Sequence, residues 1–257
     1  MKHRTLLQAV VAAFPGLTKE QAYAAILCGD ILVDGARVRD PKHVTAPVSR
    51  VERMAEPFVS RGGLKLEHAL AAWEISVAGK VFIDAGASTG GFTDCLLRRG
   101  AKMVHAVDVG TNQLAYSLRT DSRVIVHERT NITSVASLVP EADAAVADLS
   151  FRSLRGAARH LLSLTKEGWL IMLIKPQFEL RAPGRDFRGI IHEDGTVGRV
   201  LLEVLDGLWS EGVYVSRIAR SPITGRRGNR EFLALAKSNP DLAREELIVL
   251  TADPELF

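Results

Sequence analysis

The sequence has little cysteine and no long apolar run. Its 257 residues include two cysteines, Cys28 and Cys95, and no C-x-x-C pair, so neither a disulfide framework nor a cysteine-rich zinc site is expected. The seven histidines show no ligand spacing, and we therefore expect no bound metal. Apolar runs such as residues 169–174 are far shorter than the roughly 20 residues that a membrane-spanning helix needs, so no membrane span is expected.

A secretory leader and a strong charge imbalance are also missing. Gln8 and Pro15 interrupt the apolar stretch near the N-terminus, and no convincing cleavage site follows, so a cytoplasmic protein is expected. The net charge is only +3, so a surface for nucleic acid would have to come from clustered basic residues. With 47% apolar and 25% charged residues the composition is typical of a soluble globular protein, and the length allows one large domain and one small one.

The most informative stretch is residues 81–95, VFIDAGASTGGFTDC. An apolar run ends in Asp84, small residues follow as far as Gly91, and the chain then becomes amphipathic, which predicts a strand, a glycine-rich turn and a helix. Glycines let a ligand lie against the backbone, and a helix N-terminus offers it unpaired N–H groups. The dinucleotide fingerprint G-x-G-x-x-G is absent, which favours S-adenosylmethionine over NAD. A tight structural turn is the alternative interpretation.

Strands and helices alternate from residue 81 onward, which predicts a doubly wound α/β fold. Asp108 ends the second predicted strand, about twenty residues after the glycine-rich turn, where an acid commonly binds ribose hydroxyls. The alternatives are a turn-stabilising role for Asp84 and a strand-end cap for Asp108. Strands are predicted at residues 81–84, 103–108, 124–127, 144–148, 169–174, 214–221 and 231–236. The predicted cofactor-binding residues are Asp84, Gly86, Ser88, Gly90, Asp108, Asn131 and Asp148.

Opposite charges end two consecutive predicted strands, with Asp148 in ADLSF and Lys175 in LIKPQF. The ligand crevice of an open α/β sheet lies outside the carboxyl ends of its strands, so both side chains are expected to face one crevice. A structural salt bridge is the alternative. Lys65 begins a helix that is predicted to follow a turn at Gly62 and Gly63. A cation there opposes the helix dipole, so stability gives it little reason to be present, and the alternative is a solvated surface lysine.

The C-terminal third contains a long irregular segment, residues 178–194, followed by a helix predicted at residues 197–211. The segment is interpreted as a mobile loop that faces the substrate, with disorder as the alternative. The last two strands have no helix between them, which predicts an antiparallel pair with Glu231 at the start of the final strand. Candidates for phosphate contact in this region and before the sheet are Arg61, Arg181, Arg185 and Arg188.

Residues 1–50 are predicted to form a separate unit. Thr18 and Gln21 match a capping box, and the helix that they begin is expected to end near Gly29. The stretch ILVDGARV predicts a hairpin around its Asp-Gly pair. This helix followed by GDILVDG resembles the S4 RNA-binding module, and a small packing domain with solvated charges is the alternative. Basic residues available for phosphate are Lys2, His3, Arg4, Lys19, Arg37, Arg39 and Lys42.

Taken in order, the S4-like module and the motifs FVSRGGLKLEHAL, DAGASTGGFTDCLL, DLSF, LIKPQFE and GNREF resemble the TlyA family. Members of that family are known both as hemolysins and as ribosomal-RNA 2′-O-methyltransferases. Pro47 and Pro57 act as breakers and indicate a linker at residues 51–60. The resemblance implies that residues 61–257 form an FtsJ-like domain with a seven-stranded sheet whose last strand is antiparallel. It also implies S-adenosylmethionine as the cofactor and a ribose of ribosomal RNA, in cytidine, as the substrate. The catalytic tetrad of the family falls on Lys65, Asp148, Lys175 and Glu231.

The implied chemistry explains these residue types. A ribose 2′-hydroxyl is a poor nucleophile at neutral pH, whereas the methyl group of a sulfonium needs no metal because the sulfur departs neutral. Catalysis then consists of aligning the hydroxyl with the S–CH₃ bond and easing its deprotonation. Lys175 can stabilise the developing alkoxide or accept its proton, and Asp148 can hold Lys175 in place. Lys65 and Glu231 can complete a network that fixes the nucleotide.

Three other functions are alternatives. An S4-containing pseudouridine synthase also pairs an S4 module with an aspartate enzyme, but it needs no glycine-rich nucleotide turn. A pore-forming or membrane-lytic protein is suggested by the name hemolysin, but the sequence shows no span, amphipathic membrane helix or secretion signal. An RNA-binding protein that binds the cofactor without catalysis is opposed by the presence of all four tetrad residue types.

Overall fold

The chain separates into two compact units, Met1–Pro57 and Phe58–Phe257. The structure is a computed structural model, and each unit is considered by itself. The residues that it describes are 4–53, 57–150, 153–180, 187–191, 193–225, 228–241, 243 and 246.

The N-terminal unit packs two helices against short strands. Its elements are β1 (Arg4–Thr5), α1 (Leu6–Ala13), α2 (Lys19–Cys28), β2 (Ile31–Val33), β3 (Ala36–Arg37), β4 (Val44–Thr45) and β5 (Val51–Arg53). Thr5 and Thr18 begin the two helices as capping boxes, each exchanging hydrogen bonds with a glutamine three residues later. Helix α2 ends at Gly29 in the left-handed conformation, as predicted. Leu6 and Ile26 are fully buried in the small core.

The predicted hairpin lies between β2 and β3. Asp34 and Gly35 form its turn with φ of 50° and 81°, left-handed values that suit a two-residue hairpin turn. Strand β5 pairs antiparallel with the other edge of β2. The prediction that Val51–Arg53 belong to the linker is therefore wrong, because pairing with a distant strand holds them in the sheet.

Basic side chains predicted to contact phosphate lie on the surface of this unit. A Cβ on Gly29 would lie 2.8 Å from Arg39 Nε and 2.9 Å from Arg37 Cδ, so both arginines lie against the C-terminal end of α2. That end of a helix carries partial negative charge, which favours cations. The S4-like role of the unit stays a prediction. Arg4, Lys19 and Lys42 are exposed, whereas Lys2 and His3 lie outside the described residues.

A seven-stranded sheet forms the centre of the C-terminal unit. Its strands are β6 (Val81–Ala85), β7 (Met103–Val107), β8 (Val124–His127), β9 (Ala144–Ala147), β10 (Trp169–Ile174), β11 (Tyr214–Arg220) and β12 (Phe232–Lys237). They lie in the order β11-β12-β10-β9-β6-β7-β8. The five strands from β10 to β8 pair in parallel, and β12 is antiparallel to both of its neighbours. This confirms the predicted α/β fold with an antiparallel last strand.

Helices cover both faces of the sheet. They are α3 (Gly62–Ala72), α4 (Gly91–Arg98), α5 (Tyr116–Arg119), α6 (Ala157–Ser163), α7 (Pro176–Glu179) and α8 (Asp194–Ser210). Leu161 of α6 and Val204 of α8 pack in the core of one face, and Leu66 of α3 and Leu96 of α4 in that of the other. The central strands are therefore apolar along almost their whole length, as parallel strands covered on both faces usually are. In the part of the chain that the structure describes, no helix combines the length and the apolar character needed to cross a membrane.

The first turns of α3 and α4 approach each other through glycines. A Cβ on Gly91, the first residue of α4, would lie 2.8 Å from Gly63 N and 3.1 Å from Gly62 Cα. A Cβ on Gly63 would lie 2.3 Å from the Phe58 ring. The prediction of a turn at Gly62 and Gly63 is corrected, because α3 already begins at Gly62 and the missing side chains serve close packing.

We expect Gly91→Ala to destabilise the protein by about 1–3 kcal/mol, because the added methyl group would force the α3 backbone to move. Gly195→Ala is the matched control. Gly195 also lies in the first turn of a helix, α8, and among the described residues nothing outside its chain neighbours and its own helix backbone lies within 4 Å of its Cβ position. Alanine there should be neutral or stabilise by up to about 1 kcal/mol. Denaturant unfolding of both variants measures the difference, and equal midpoints would contradict the packing argument.

Candidate active site

Two parallel strands bring an acid and a lysine together at the carboxyl edge of the sheet. Asp148 follows β9 and Lys175 follows β10, and these strands are neighbours. The Lys175 Nζ atom lies 2.5 Å from Asp148 Oδ1, in an ion pair whose angles fall outside hydrogen-bond geometry. Pro176 then begins the single turn of α7, which prevents β10 from continuing.

The first helix and the last strand of the unit supply a second pair. Lys65 lies in the first turns of α3, and Glu231 directly precedes β12. Lys65 Nζ donates a hydrogen bond to Glu231 Oε2 over 2.5 Å and lies 4.0 Å from Asp148 Oδ2. The four predicted tetrad residues therefore lie together, with charges that alternate from Glu231 through Lys65 and Asp148 to Lys175.

Three of these four side chains are buried. The exposed fraction of the side chain is 9% for Lys175, 10% for Lys65 and 5% for Glu231, against 24% for Asp148. Removing an ammonium group from water is costly unless a carboxylate lies beside it. Two ammonium and two carboxylate groups balance here, and Asp148 is the carboxylate that lies near both lysines.

Lys175 has three further partners that the sequence did not reveal. Its Nζ donates to Leu149 O over 3.0 Å and to Ser150 Oγ over 3.2 Å. The ring centroid of Phe178 lies 5.6 Å from Nζ, within the range of a cation–π interaction. The direction of the ammonium group is therefore set by the residues that follow β9 and by α7.

Glu231 depends on a glycine and an asparagine that were not predicted either. A Cβ on Gly225 would lie 2.1 Å from Glu231 Oε1, so the carboxylate fits only against a glycine. Gly225 N donates to Asn229 O over 2.8 Å. The Asn229 amide donates to Gly189 O over 2.7 Å and accepts from Ile191 N over 3.3 Å. The GNREF motif thus also fixes part of the segment that was predicted to face the substrate.

The glycine-rich turn lies directly beside the charged group. Gly86 has a φ of 80°, and a Cβ there would lie 2.6 Å from the carbonyl oxygen of Asp148. Gly90 has a φ of 95°, and a Cβ there would lie 2.3 Å from Leu118. Ser88 also adopts a positive φ, of 49°. Gly86 is therefore required for the close approach of the backbone after β9, a packing role in addition to the ligand contact that the sequence predicts.

Asp108 closes the other side of the turn. Its carboxylate accepts hydrogen bonds from Ser88 N over 2.8 Å and from Gly110 N over 2.7 Å. A cavity beside it is lined by these three residues together with Gln113 and Glu128. Ser88 Oγ donates to Gln113 Oε1 over 3.2 Å. Glu128 was not predicted to line this cavity. It directly follows β8, and its position at a strand end is the signal that could have identified it.

Asp84 lies inside the unit and is fully buried. Its Oδ2 accepts a hydrogen bond from Thr93 Oγ1 over 2.6 Å, and no donor among the described residues reaches Oδ1. Burial raises the pKa of Asp84 to about 7, and the nearby charges of Asp148 and Asp108 act in the same direction. Asp84 is therefore a titrating group near neutral pH with one buried oxygen that lacks a donor.

The remaining predicted residues have local partners or lie outside the described residues. Asn131 Oδ1 accepts hydrogen bonds from the N–H and the hydroxyl of Thr133, so this side chain begins the short turn Ile132–Ser134. Arg61 Nη2 donates to Thr224 O over 3.3 Å, which links the start of α3 to the connection before β12. Of the three arginines predicted to contact phosphate in the loop, Arg181 and Arg185 lie outside the residues that the structure describes, and Arg188 lies within them.

We expect Asp84→Asn to change how stability depends on pH. An unfolded Asp84 loses its proton near pH 3.8, whereas the folded residue keeps it until about pH 7. The free energy of unfolding contributed by Asp84 should therefore fall between about pH 4 and 7, by at most about 1.4 kcal/mol per pH unit, and then level off. Denaturant unfolding at several pH values should show the wild type losing stability relative to the asparagine variant across this window. Parallel curves would contradict the assignment.

Known proteins resemble this chain over most of its length. Residues 58–238 match the FtsJ-like methyltransferase family. The chain is 38% identical over 235 residues to the 16S/23S rRNA (cytidine-2′-O)-methyltransferase TlyA of Mycobacterium tuberculosis. The aligned region covers 88% of this chain and 87% of that protein. It is 37% identical over 222 residues to Hemolysin A of Brachyspira hyodysenteriae, at 84% and 92% coverage. A solved structure of a candidate hemolysin from Streptococcus thermophilus superposes with a TM-score of 0.74 at 35% identity, over 98% of this chain and 95% of that one. The chain therefore belongs to the TlyA family, and residues 58–238 form its FtsJ-like methyltransferase domain.

Proposed function

We propose that the protein transfers the methyl group of S-adenosylmethionine to a ribose 2′-hydroxyl of ribosomal RNA, in cytidine. The observation that carries the proposal is the buried, charge-balanced group beside the glycine-rich turn, formed by Lys65, Asp148, Lys175 and Glu231. Stability alone gives little reason for such a group, because buried ion pairs often stabilise a fold no better than apolar residues of similar volume. The Mycobacterium tuberculosis relative is a 16S/23S rRNA (cytidine-2′-O)-methyltransferase, which supports the choice of RNA and nucleotide.

The residues around the turn fit S-adenosylmethionine. Each carboxylate oxygen of Asp108 accepts one backbone N–H and has a second lone pair for a ribose hydroxyl of the cofactor. Asp84 Oδ1, which is buried and has no donor among the described residues, suits a cationic amino group. When bound, the cofactor supplies a methyl group on a positively charged sulfur.

Lys175 is the residue assigned to the hydroxyl. Its ammonium group is already held by Asp148, Leu149 and Ser150, so its direction is fixed before RNA binds. A fixed cation beside the 2′-oxygen stabilises the negative charge that develops as the proton leaves. As an ammonium group Lys175 donates a hydrogen bond to that oxygen, and it takes the proton of the hydroxyl only in its neutral amine form. Lys65 lies near the outer oxygen of Asp148 and keeps that carboxylate in place.

The N-terminal unit is assigned the role of an S4-like RNA-binding module. Arg37 and Arg39 lie against the end of α2, and the other described basic residues of the unit are exposed. Clustered arginine and lysine side chains bind phosphates and release counterions, which makes such binding strongly dependent on salt. A ribosomal substrate also requires the cytoplasmic location that the sequence predicts.

Two other functions are outcomes of the same experiments. The name of the Brachyspira hyodysenteriae relative suggests lysis of red cells. Lysis counts as a separate activity only if it persists in a variant that cannot transfer methyl groups. RNA binding without catalysis would appear as binding of cofactor and RNA with no transfer by the wild type.

We expect Lys175→Ala to bind S-adenosylmethionine almost normally, while methyl transfer falls about 10²–10⁴-fold. The lysine acts on the reacting oxygen and lies between β10 and α7, whereas the glycine-rich turn lies between β6 and α4. Asp108→Ala should show the reverse, with weaker cofactor binding and transfer that recovers at saturating cofactor. Calorimetry measures the affinity, and single-turnover transfer of a labelled methyl group to undermodified ribosomal RNA measures the chemical step.

Lys80→Ala is the matched control for this prediction. Lys80 Nζ also contacts a carboxylate, 2.6 Å from Glu167 Oε2, but it precedes β6 at the opposite edge of the sheet. The control should keep both cofactor affinity and transfer. Transfer by Lys175→Ala at a rate near that of the wild type would overturn the assignment of the tetrad. Label on a base instead of the 2′-oxygen would overturn the reaction type.

Removal of residues 1–57 should leave cofactor affinity unchanged and abolish methylation of ribosomal particles, because the catalytic residues all lie in the second unit. Binding of the full chain to ribosomal RNA should weaken steeply as salt rises. Calorimetry with the cofactor shows whether the truncated chain keeps its site, and a transfer assay on particles gives the result. Full transfer by the truncated chain would remove the role assigned to the N-terminal unit.

A further inference from the structure

We infer that Glu179 is a positioning residue that holds the loop after β9 where it orients Lys175. The inference rests on the proposed function of Lys175. The loop, residues 148–154, is called here the Asp148 loop, and the structure describes all of it except residues 151 and 152. The motif LIKPQFE contains both Lys175 and Glu179, but a role was predicted only for the lysine.

Lys175 and Glu179 lie at the two ends of α7. Lys175 caps this one-turn helix, and Glu179 is its last residue, four positions later. Phe178 N donates to Lys175 O over 2.8 Å, so the turn that sets this spacing is closed. Both side chains contact the Asp148 loop.

Glu179 binds the far end of the Asp148 loop with both carboxylate oxygens. Oε2 accepts from Ser153 Oγ over 2.6 Å, and Oε1 accepts from Leu154 N over 2.8 Å. Glu179 is 8% exposed and Leu154 is 2% exposed, so the bond to Leu154 N is buried, whereas the bond from Ser153 is partly buried. A buried backbone N–H without an acceptor is costly, and Glu179 supplies the acceptor for Leu154.

Lys175 binds the near end of the same loop through Leu149 O and Ser150 Oγ. Asp148 itself is held independently, because its N–H donates to Ala85 O of β6 over 3.0 Å. Loss of Glu179 should therefore leave Asp148 in the sheet and loosen the described residues of the loop after it, 149–150 and 153–154. Lys175 would then keep its ion pair and lose the two hydrogen bonds that fix its direction.

The test compares Glu179→Ala with the wild type in two measurements. Transfer to ribosomal RNA should fall roughly 10²-fold in kcat, with unchanged KM for RNA and unchanged cofactor affinity, because a small misplacement of a reacting group has about this effect. Labelling by an amine-reactive reagent, followed by mass spectrometry, should show faster modification of Lys175. Glu179→Gln should restore most of both, since its oxygen can accept from Leu154 N and its amide can donate to Ser153 Oγ.

Glu211→Ala is the matched control, because Glu211 Oε2 accepts from Gly156 N over 2.7 Å, on the same β9–α6 connection but beyond the Asp148 loop. It should change neither transfer nor labelling of Lys175. Thermal unfolding of each variant shows whether a loss of stability accompanies the change. If Glu179→Ala does not fold, Ser153→Ala removes one of the two bonds and should give a smaller increase in labelling.

Equal labelling of Lys175 in the wild type and in the folded Glu179 or Ser153 variant would overturn the inference. The labelling measurement needs no RNA. A wild-type protein that transfers no methyl group to ribosomal RNA would therefore reject the proposed function, while labelling would still decide whether Glu179 positions Lys175.

Discussion

The burial of two lysines at one edge of the sheet is the constraint on which the rest of the domain depends. Each ammonium group needs a carboxylate beside it. Lys175 pairs with Asp148 at the end of β9, and Lys65 pairs with Glu231 just before β12. Glycines make these approaches possible. Gly91 lets α3 come close enough to α4 to carry Lys65 to the site, and Gly225 leaves room for Glu231. A methyl group added at Gly91 would displace α3 and Lys65, and one added at Gly225 would displace Glu231, although neither change alters a charge.

Asp148 joins the two halves of the site. Its side chain pairs with Lys175, and its carbonyl oxygen lies against Gly86 of the glycine-rich turn. The residues that fit the methyl donor and those assigned to the acceptor therefore share one short piece of backbone. Displacement of that backbone would change both sides together, which is why Asp148 is a poor position for separating cofactor binding from chemistry. Lys175, which follows the neighbouring strand β10, is the better position for separating cofactor binding from chemistry.

The sequence reveals what is local and misses what depends on distant contacts. Apolar runs that end in Asp148 and Lys175 predict two strand ends, because central parallel strands are buried on both faces. The meeting of Lys65 with Glu231 has no local signal, and only the family resemblance pointed to it. Gly62 and Gly63 were misassigned because a glycine pair marks a turn locally but can also serve packing against a helix far along the chain. The roles of Val51–Arg53, Gly225 and Glu179 depend on such distant partners in the same way.

The pairing of Lys65 with Glu231 also bears on how the enzyme is made. The two residues are 166 positions apart, so Lys65 emerges from the ribosome long before its carboxylate exists. Strand β12, which follows Glu231, fills the place between β10 and β11 in the sheet. The carboxylate that pairs with Lys65 and the strand that joins β10 to β11 are therefore adjacent in the sequence and are synthesised together. A nascent chain that ends before Glu231 therefore lacks the carboxylate to which Lys65 donates its hydrogen bond.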